Sequence, residues 1–349
     1  MTPFYLILFV LILLALCDPY MKDMQMRVTM YIVLLIVLIF FAGFRRDNPD
    51  WHQYSFIFKE VVNHREGSHD GGFNAIVHAC TYLTTEPLLM FLVTALIAVI
   101  LNGISMCRYT QYFFTALLLY FCHNYCLKEM IQIRVGLASS ICLFSLFYLY
   151  NKRLRVFFIL MLIAVSIHLT SAIFILAYFS YKFLDKRTLL FCVVVALMIG
   201  VFTPLGAVLK TVLGIDERLD SYIAYGDDGY AQSLGIWTNL NTVKSLIVFM
   251  GLYHYYDTLA TKCKYFEIMF KCYVAGLCWL ICFNDFAIIG ARMSNILMSV
   301  EPILLTYPFY LFKKKSRVIY SCIIIALAIL IFHTNISPDK ITPYKFYFS

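Results

Sequence analysis

Residues 155–181 read Arg155-Val-Phe-Phe-Ile-Leu-Met-Leu-Ile-Ala-Val-Ser-Ile-His168-Leu-Thr-Ser-Ala-Ile-Phe-Ile-Leu-Ala-Tyr-Phe-Ser-Tyr181. As one straight helix this run would be about 40 Å long, more than a ~30 Å hydrocarbon core. Both flanks are basic, with Lys152, Arg153 and Arg155 on one side and Lys182, Lys186 and Arg187 on the other. A single crossing would therefore leave one basic cluster on the wrong side of the membrane. Two short helices meeting at 167–171 remove the conflict, each roughly 19 Å long. Irregular backbone at such depth persists only inside protein or beside a water-filled cavity. The expectation is a re-entrant or broken helical hairpin near 155–181 with His168 at its tip.

The rest of the chain fits that solvent. Its 349 residues are 62% hydrophobic and 14% charged, with a mean hydropathy of +0.80. Soluble domains carry nearer 25% charge. Apolar runs fall at about 4–17, 28–44, 86–101, 111–127, 134–150, 155–167, 170–181, 189–209, 241–256, 269–289, 293–312 and 318–333. The reading is an all-α, polytopic transmembrane helical protein with about 12 spans (10–13), forming one integral membrane domain over 1–349. The first run has no basic segment before it and no small-residue cleavage site after it, so a retained first helix is expected. Basic clusters alternate with acidic or longer loops. This places both termini and two long loops, 45–85 and 210–240, outside the cytoplasm. The second loop carries Asp216, Glu217, Asp220, Asp227 and Asp228. In the first, Tyr54, Ile57, Phe58, Val61 and Val62 have the spacing of an amphipathic helix at the interface.

The net charge of +8 does not point to nucleic acid, because the basic residues lie in short loops between apolar runs. The twelve cysteines sit mostly within apolar runs without zinc-site spacing and read as small apolar residues. No metal or cofactor is expected.

Several ionisable groups fall near the outer boundary of this topology: Arg45 and Arg46 after the second run, Arg134 opening the fifth, Lys244 near the start of the ninth, and Arg292 beginning the eleventh. Arginine presents a planar fork that matches phosphate oxygens, so such a ring suits a lipid diphosphate. Taken singly, each arginine also reads as an interfacial anchor. Arg134 is followed by Gly136, Ala138, Ser139 and Ser140, which allow close approach. His168 reads as a general base or a donor near neutral pH, or as a side chain satisfying a broken backbone. Asp50 reads as a second candidate base or as a turn residue in Asp47-Asn-Pro-Asp50.

Three blocks carry a family resemblance: Phe41-Ala-Gly-Phe-Arg-Arg46 with Asp50 and Tyr54, Arg134-Val-Gly-Leu-Ala138, and Ala164-x3-His168-x2-Ser171-Ala172. In these the chain resembles the EpsG-like family of polysaccharide polymerases, the class that includes many Wzy O-antigen polymerases. The resemblance implies a glycosyltransferase, multi-pass in the bacterial inner (cytoplasmic) membrane. It would move a glycan from undecaprenyl diphosphate to a lipid-linked repeat unit for O-antigen, capsule or exopolysaccharide. Arg45, Arg46, Arg134 and Arg292 would bind the diphosphate, with His168 or Asp50 as base and Trp51 and Tyr54 as glycan contacts. A chain-length regulator and a flippase are the protein partners it suggests. Two other classes compete: a membrane O-acyltransferase acting on surface glycans, and a transporter of lipid-linked glycans.

Overall fold

A computed structural model describes residues 1–63, 70–203, 205, 235–336 and 341–348. Among these residues the chain is almost wholly helical, with one two-stranded ribbon. Of the expected 210–240 loop, the five acidic residues lie outside the described residues. The chain divides into two compact units, one built from residues 1–172 and 302–349, the other from 173–301.

The first unit opens with α1 (Thr2–Cys17), α2 (Met24–Gly43) and a strand β1 (Arg45–Arg46). Helix α3 (Trp51–Val62) follows, then α4 (Gly71–Thr81) and α5 (Leu88–Tyr109). Helix α6 (Phe113–Tyr120) is only eight residues long and continues as one π turn (Phe121–Tyr125). After a buried, non-helical segment come α7 (Ile133–Tyr150) and α8 (Leu154–Ile167). Helix α7 packs on α5 and α8, and α5 packs on α2.

The second unit holds α9 (Ile175–Phe183), α10 (Lys186–Phe202), α11 (Leu240–His254), α12 (Tyr256–Lys262), α13 (Phe266–Cys282) and α14 (Ala287–Leu297). Helix α13 packs against α9, α10, α11 and α14 and is its centre. There Glu301 is buried and forms an ion pair of 2.5 Å with Lys244. A single turn, α15 (Glu301–Leu304), leads back to the first unit, whose last long helix is α16 (Lys314–Asn335).

Four described helices are long and apolar enough to cross a membrane: Met24–Gly43, Leu88–Tyr109, Ile133–Tyr150 and Lys315–Asn335. Helix length does not carry the expected count of about twelve. The apolar run 111–127 is a short helix plus a π turn, and the run 155–181 is interrupted. The interruption falls where length and charge require it. Helix α8 stops at Ile167, His168 is extended at φ −155° and ψ 111°, and a 3-10 stretch (Leu169–Phe174) precedes α9.

The 45–85 region contains two amphipathic helices rather than one. Tyr54, Ile57, Phe58 and Val61 of α3 are buried against Phe73, Val77 and Cys80 of α4, with Met90 and Phe91 of α5 and Ile133 of α7 beneath them. Burial of this apolar face, rather than propensity, is what stabilises helices of 11 and 12 residues.

The carboxy-terminal tail closes over the start of this region. Strand β2 (Lys345–Phe346) pairs antiparallel with β1, and Tyr344 stacks on Phe41 with ring centroids 4.4 Å apart. In β1 the two arginines point opposite ways, as a strand dictates, so Arg45 is buried and Arg46 exposed. Arg45 is 1% exposed; its Nη2 donates to the carbonyl and hydroxyl oxygens of Thr342 at 3.1 and 3.2 Å. Its guanidinium also lies 5.5 Å from the Phe4 ring centre, so both ends of the chain meet at the end of α2. Burial pushes the Arg45 guanidinium down to about 10, still charged at neutral pH. Charge-assisted hydrogen bonds contribute about 1.5–3 kcal/mol. Replacing Arg45 with Ala should therefore cost about 3 kcal/mol. The expected result is a lower melting temperature in detergent and a carboxy-terminal tag more readily cut by protease. Unchanged melting and protection would contradict this role.

Candidate functional site

Arg134, Asp70, His168 and Tyr54 come together within the first unit. Arg134 is in the first turn of α7, and its Nη1 donates to Asp70 Oδ2 at 2.7 Å. His168 Nδ1 lies 3.9 Å from the same carboxylate oxygen. The Arg134 guanidinium is 5.6 Å from the Tyr54 ring centre and 5.8 Å from that of Phe73. The side chains of Arg134, Asp70 and His168 are 21%, 18% and 22% exposed, so each is partly enclosed and still reachable.

Local structure explains the convergence. Asp70 is the residue before α4, where an aspartate normally caps its own helix. Its side chain makes no such cap and is turned to Arg134 instead. Gly72 allows this. A Cβ there would fall 2.3 Å from Ser166 Oγ and 2.8 Å from the Ser166 carbonyl carbon, so only glycine lets the start of α4 lie on the end of α8. That contact brings Asp70 to His168, the residue at which α8 stops. An arginine in the first turn opposes the helix dipole unless an anion is near. Asp70 supplies one, and the guanidinium with the positive end of α7 forms a site suited to another.

Tyr54 is buried on α3. Burial raises its phenol above the ordinary value, and the adjacent Arg134 guanidinium works against that rise. Asp50 is the residue before α3; its carbonyl accepts from Tyr54 N at 3.1 Å, and its charge acts on the Tyr54 phenol. Trp51 opens the same helix, its ring stacked near that of Phe91 at 6.3 Å. The Arg46 guanidinium stands 5.7 Å from the Trp51 ring centre. Arg45 is turned inward to the tail and is not part of this group. Arg292 lies on α14, in the second unit.

Asp70 is the member that sequence reading did not single out. A signal was present: Asp70-Gly-Gly precedes Phe73, Val77 and Cys80 at helical spacing, the pattern of a capped amphipathic helix.

The model of the EpsG family matches residues 28–346. The chain belongs to the EpsG family. That match contains every residue of the group just described. A relative is the "Amylovoran biosynthesis protein AmsC" of Erwinia amylovora, 24% identical over 341 residues, covering 90% of this chain and 88% of that protein. No solved structure matches this EpsG-family chain.

If Asp70 holds the Arg134 fork in place, the two act as one unit. Asp70→Asn and Arg134→Lys should each lower activity by tenfold or more with normal membrane insertion, because a point charge does not replace the fork. The double variant should be no worse than the more severe single one. Losses that multiply would show two independent roles.

Proposed function

We propose that this membrane protein is a polysaccharide polymerase that joins glycan repeat units by glycosyl transfer from undecaprenyl diphosphate to a lipid-linked acceptor. Family membership supports the class, as does a relative whose name assigns it to amylovoran biosynthesis. The observation that carries the chemistry is the Arg134–Asp70–His168 group, an anion-binding fork beside a carboxylate and an imidazole.

In this reading an acceptor hydroxyl attacks the anomeric carbon of the donor sugar. A new glycosidic bond forms, and the bond from that carbon to the diphosphate oxygen breaks. Negative charge gathers on the departing diphosphate, and stabilising it is the main electrostatic task. Arg134 and the positive end of α7 do this. The acceptor proton passes to His168, which Asp70 orients. Asp50 is the alternative base, one turn from Tyr54. Trp51 offers a ring to sugar, with Arg46 beside it, whereas Tyr54 is buried and backs the Arg134 guanidinium instead. Arg45 belongs to the scaffold, since its fork is taken by the tail. The shorter apolar helices bring the number of membrane passages toward twelve, with the 45–85 region and the tail on the extracytoplasmic face of the inner membrane. A chain-length regulator and a flippase would act alongside.

A deletion strain complemented with variants tests this reading. The deletion should lose the ladder of long glycans and keep single repeat units. Glycans of normal length lacking an ester would indicate the acyltransferase, and lipid-linked units stalled in the cytoplasm would indicate the transporter. His168→Ala should fail to restore the ladder while lipid-linked substrate still binds. His168→Gln retains a donor, so a full ladder with Gln would reduce the imidazole to a backbone partner. Asp50→Asn would then be the inactive variant.

A further inference from the structure

The non-helical segment between α6 and α7 is buried where a membrane chain is least able to leave polar groups unmatched. Lys128, Glu129, Met130 and Ile131 are all under 9% exposed. Glu129 reaches back into the unit. Its Oε1 accepts from the Tyr120 hydroxyl at 2.7 Å and from Asn102 Nδ2 at 3.3 Å. Tyr120 and Asn102 are themselves buried, and Asn102 is tied to the Ala98 carbonyl at 3.0 Å.

The other oxygen, Oε2, packs on Gly136 in the first turn of α7. A Cβ at Gly136 would fall 2.0 Å from it and 3.1 Å from the backbone carbon of Lys128. An isolated carboxylate would swing aside at little cost. This one is anchored through Oε1, so the helix has to yield instead.

We propose that Glu129 and Gly136 are positioning residues for Arg134: the anchored carboxylate sets where the first turn of α7 lies, and Gly136 lets the turn sit directly against it. Arg134 is two residues earlier, about 3 Å along the helix axis. Its fork meets Asp70 at 2.7 Å, so relieving a Cβ by sliding the turn breaks that geometry. Displacements of about 1 Å in a positioning element cost up to ~100-fold in rate. The carboxylate beside the first turn also complements the positive helix end. This inference rests on Arg134 as a ligand of the lipid-linked substrate.

The test measures glycan extension against the concentration of lipid-linked repeat unit, with full-length variants reconstituted in liposomes. Gly136→Ala should lower kcat/KM at least tenfold. Adding it to Arg134→Lys should change kcat/KM by less than twofold, since the fork is already lost. Glu129→Asp withdraws the carboxylate, so Gly136→Ala/Glu129→Asp should recover part of the Gly136→Ala loss. If Gly136→Ala does not fold, Glu129→Asp decides: a kcat/KM lowered in the wild-type background but not further in Arg134→Lys supports positioning, and a wild-type kcat/KM overturns it. Wild-type kcat/KM in Gly136→Ala beside an impaired Arg134→Lys overturns this proposal alone. Wild-type kcat/KM in Arg134→Lys overturns the substrate role of Arg134 and the proposed function with it.

Discussion

The first unit depends on one constraint: a non-helical segment, residues 126–132, is largely buried among helices and draws most of its polar partners from within, while Glu129 Oε2 packs on Gly136 without a hydrogen bond. Tyr120 and Asn102 serve Glu129, and Asn48 Nδ2 donates to the Met130 carbonyl at 2.6 Å. Arg45 Nη1 reaches Met130 Sδ at 3.8 Å while its other nitrogen holds the tail. The tail, the segment after α2 and the buried turn are thereby fastened in series, and α7 begins where that series ends. Breaking any link leaves polar groups unpaired in an apolar surrounding, which costs more than the hydrogen bond itself is worth. The position of Arg134 is set by this chain of contacts rather than by α7 alone.

That placement gives the candidate site its character. Arg134 is held by a carboxylate before any substrate arrives, so its fork is already oriented. A bound diphosphate would share the guanidinium with Asp70 or displace it, and Asp70 would then be left facing His168. One carboxylate oxygen thus connects the Arg134 guanidinium to the imidazole. The same contact links two separate sequence blocks, the Arg134 helix start and the break at His168.

The features legible in the sequence were those fixed by geometry along the chain. The break at His168 follows from length and flanking charge, and α3 follows from the spacing of Tyr54, Ile57, Phe58 and Val61. Arg134, His168 and Tyr54 stood out because charged or polar groups beside long apolar runs have few ordinary uses. What escaped depends on contacts between distant segments. Asp70 was not singled out, because only the approach of Gly72 to Ser166 gives it two partners. Arg45 and Arg46 are adjacent and chemically identical, yet pairing with a strand some 300 residues later turns one in and the other out. The run at 111–127 resembled a span, but a π turn and a buried polar segment follow only eight residues of α-helix. Hydropathy does not reveal a helix that stops short when the residues beyond it are also buried.

The most direct measurement uses purified protein in liposomes supplied with one defined undecaprenyl diphosphate-linked repeat unit and nothing else. Glycan length and free undecaprenyl diphosphate are followed together. The account predicts lipid-linked glycans of two, three and more units, with one undecaprenyl diphosphate released for each glycosidic bond formed. Repeat units that move across the bilayer or stay single, with no release of carrier, would contradict it.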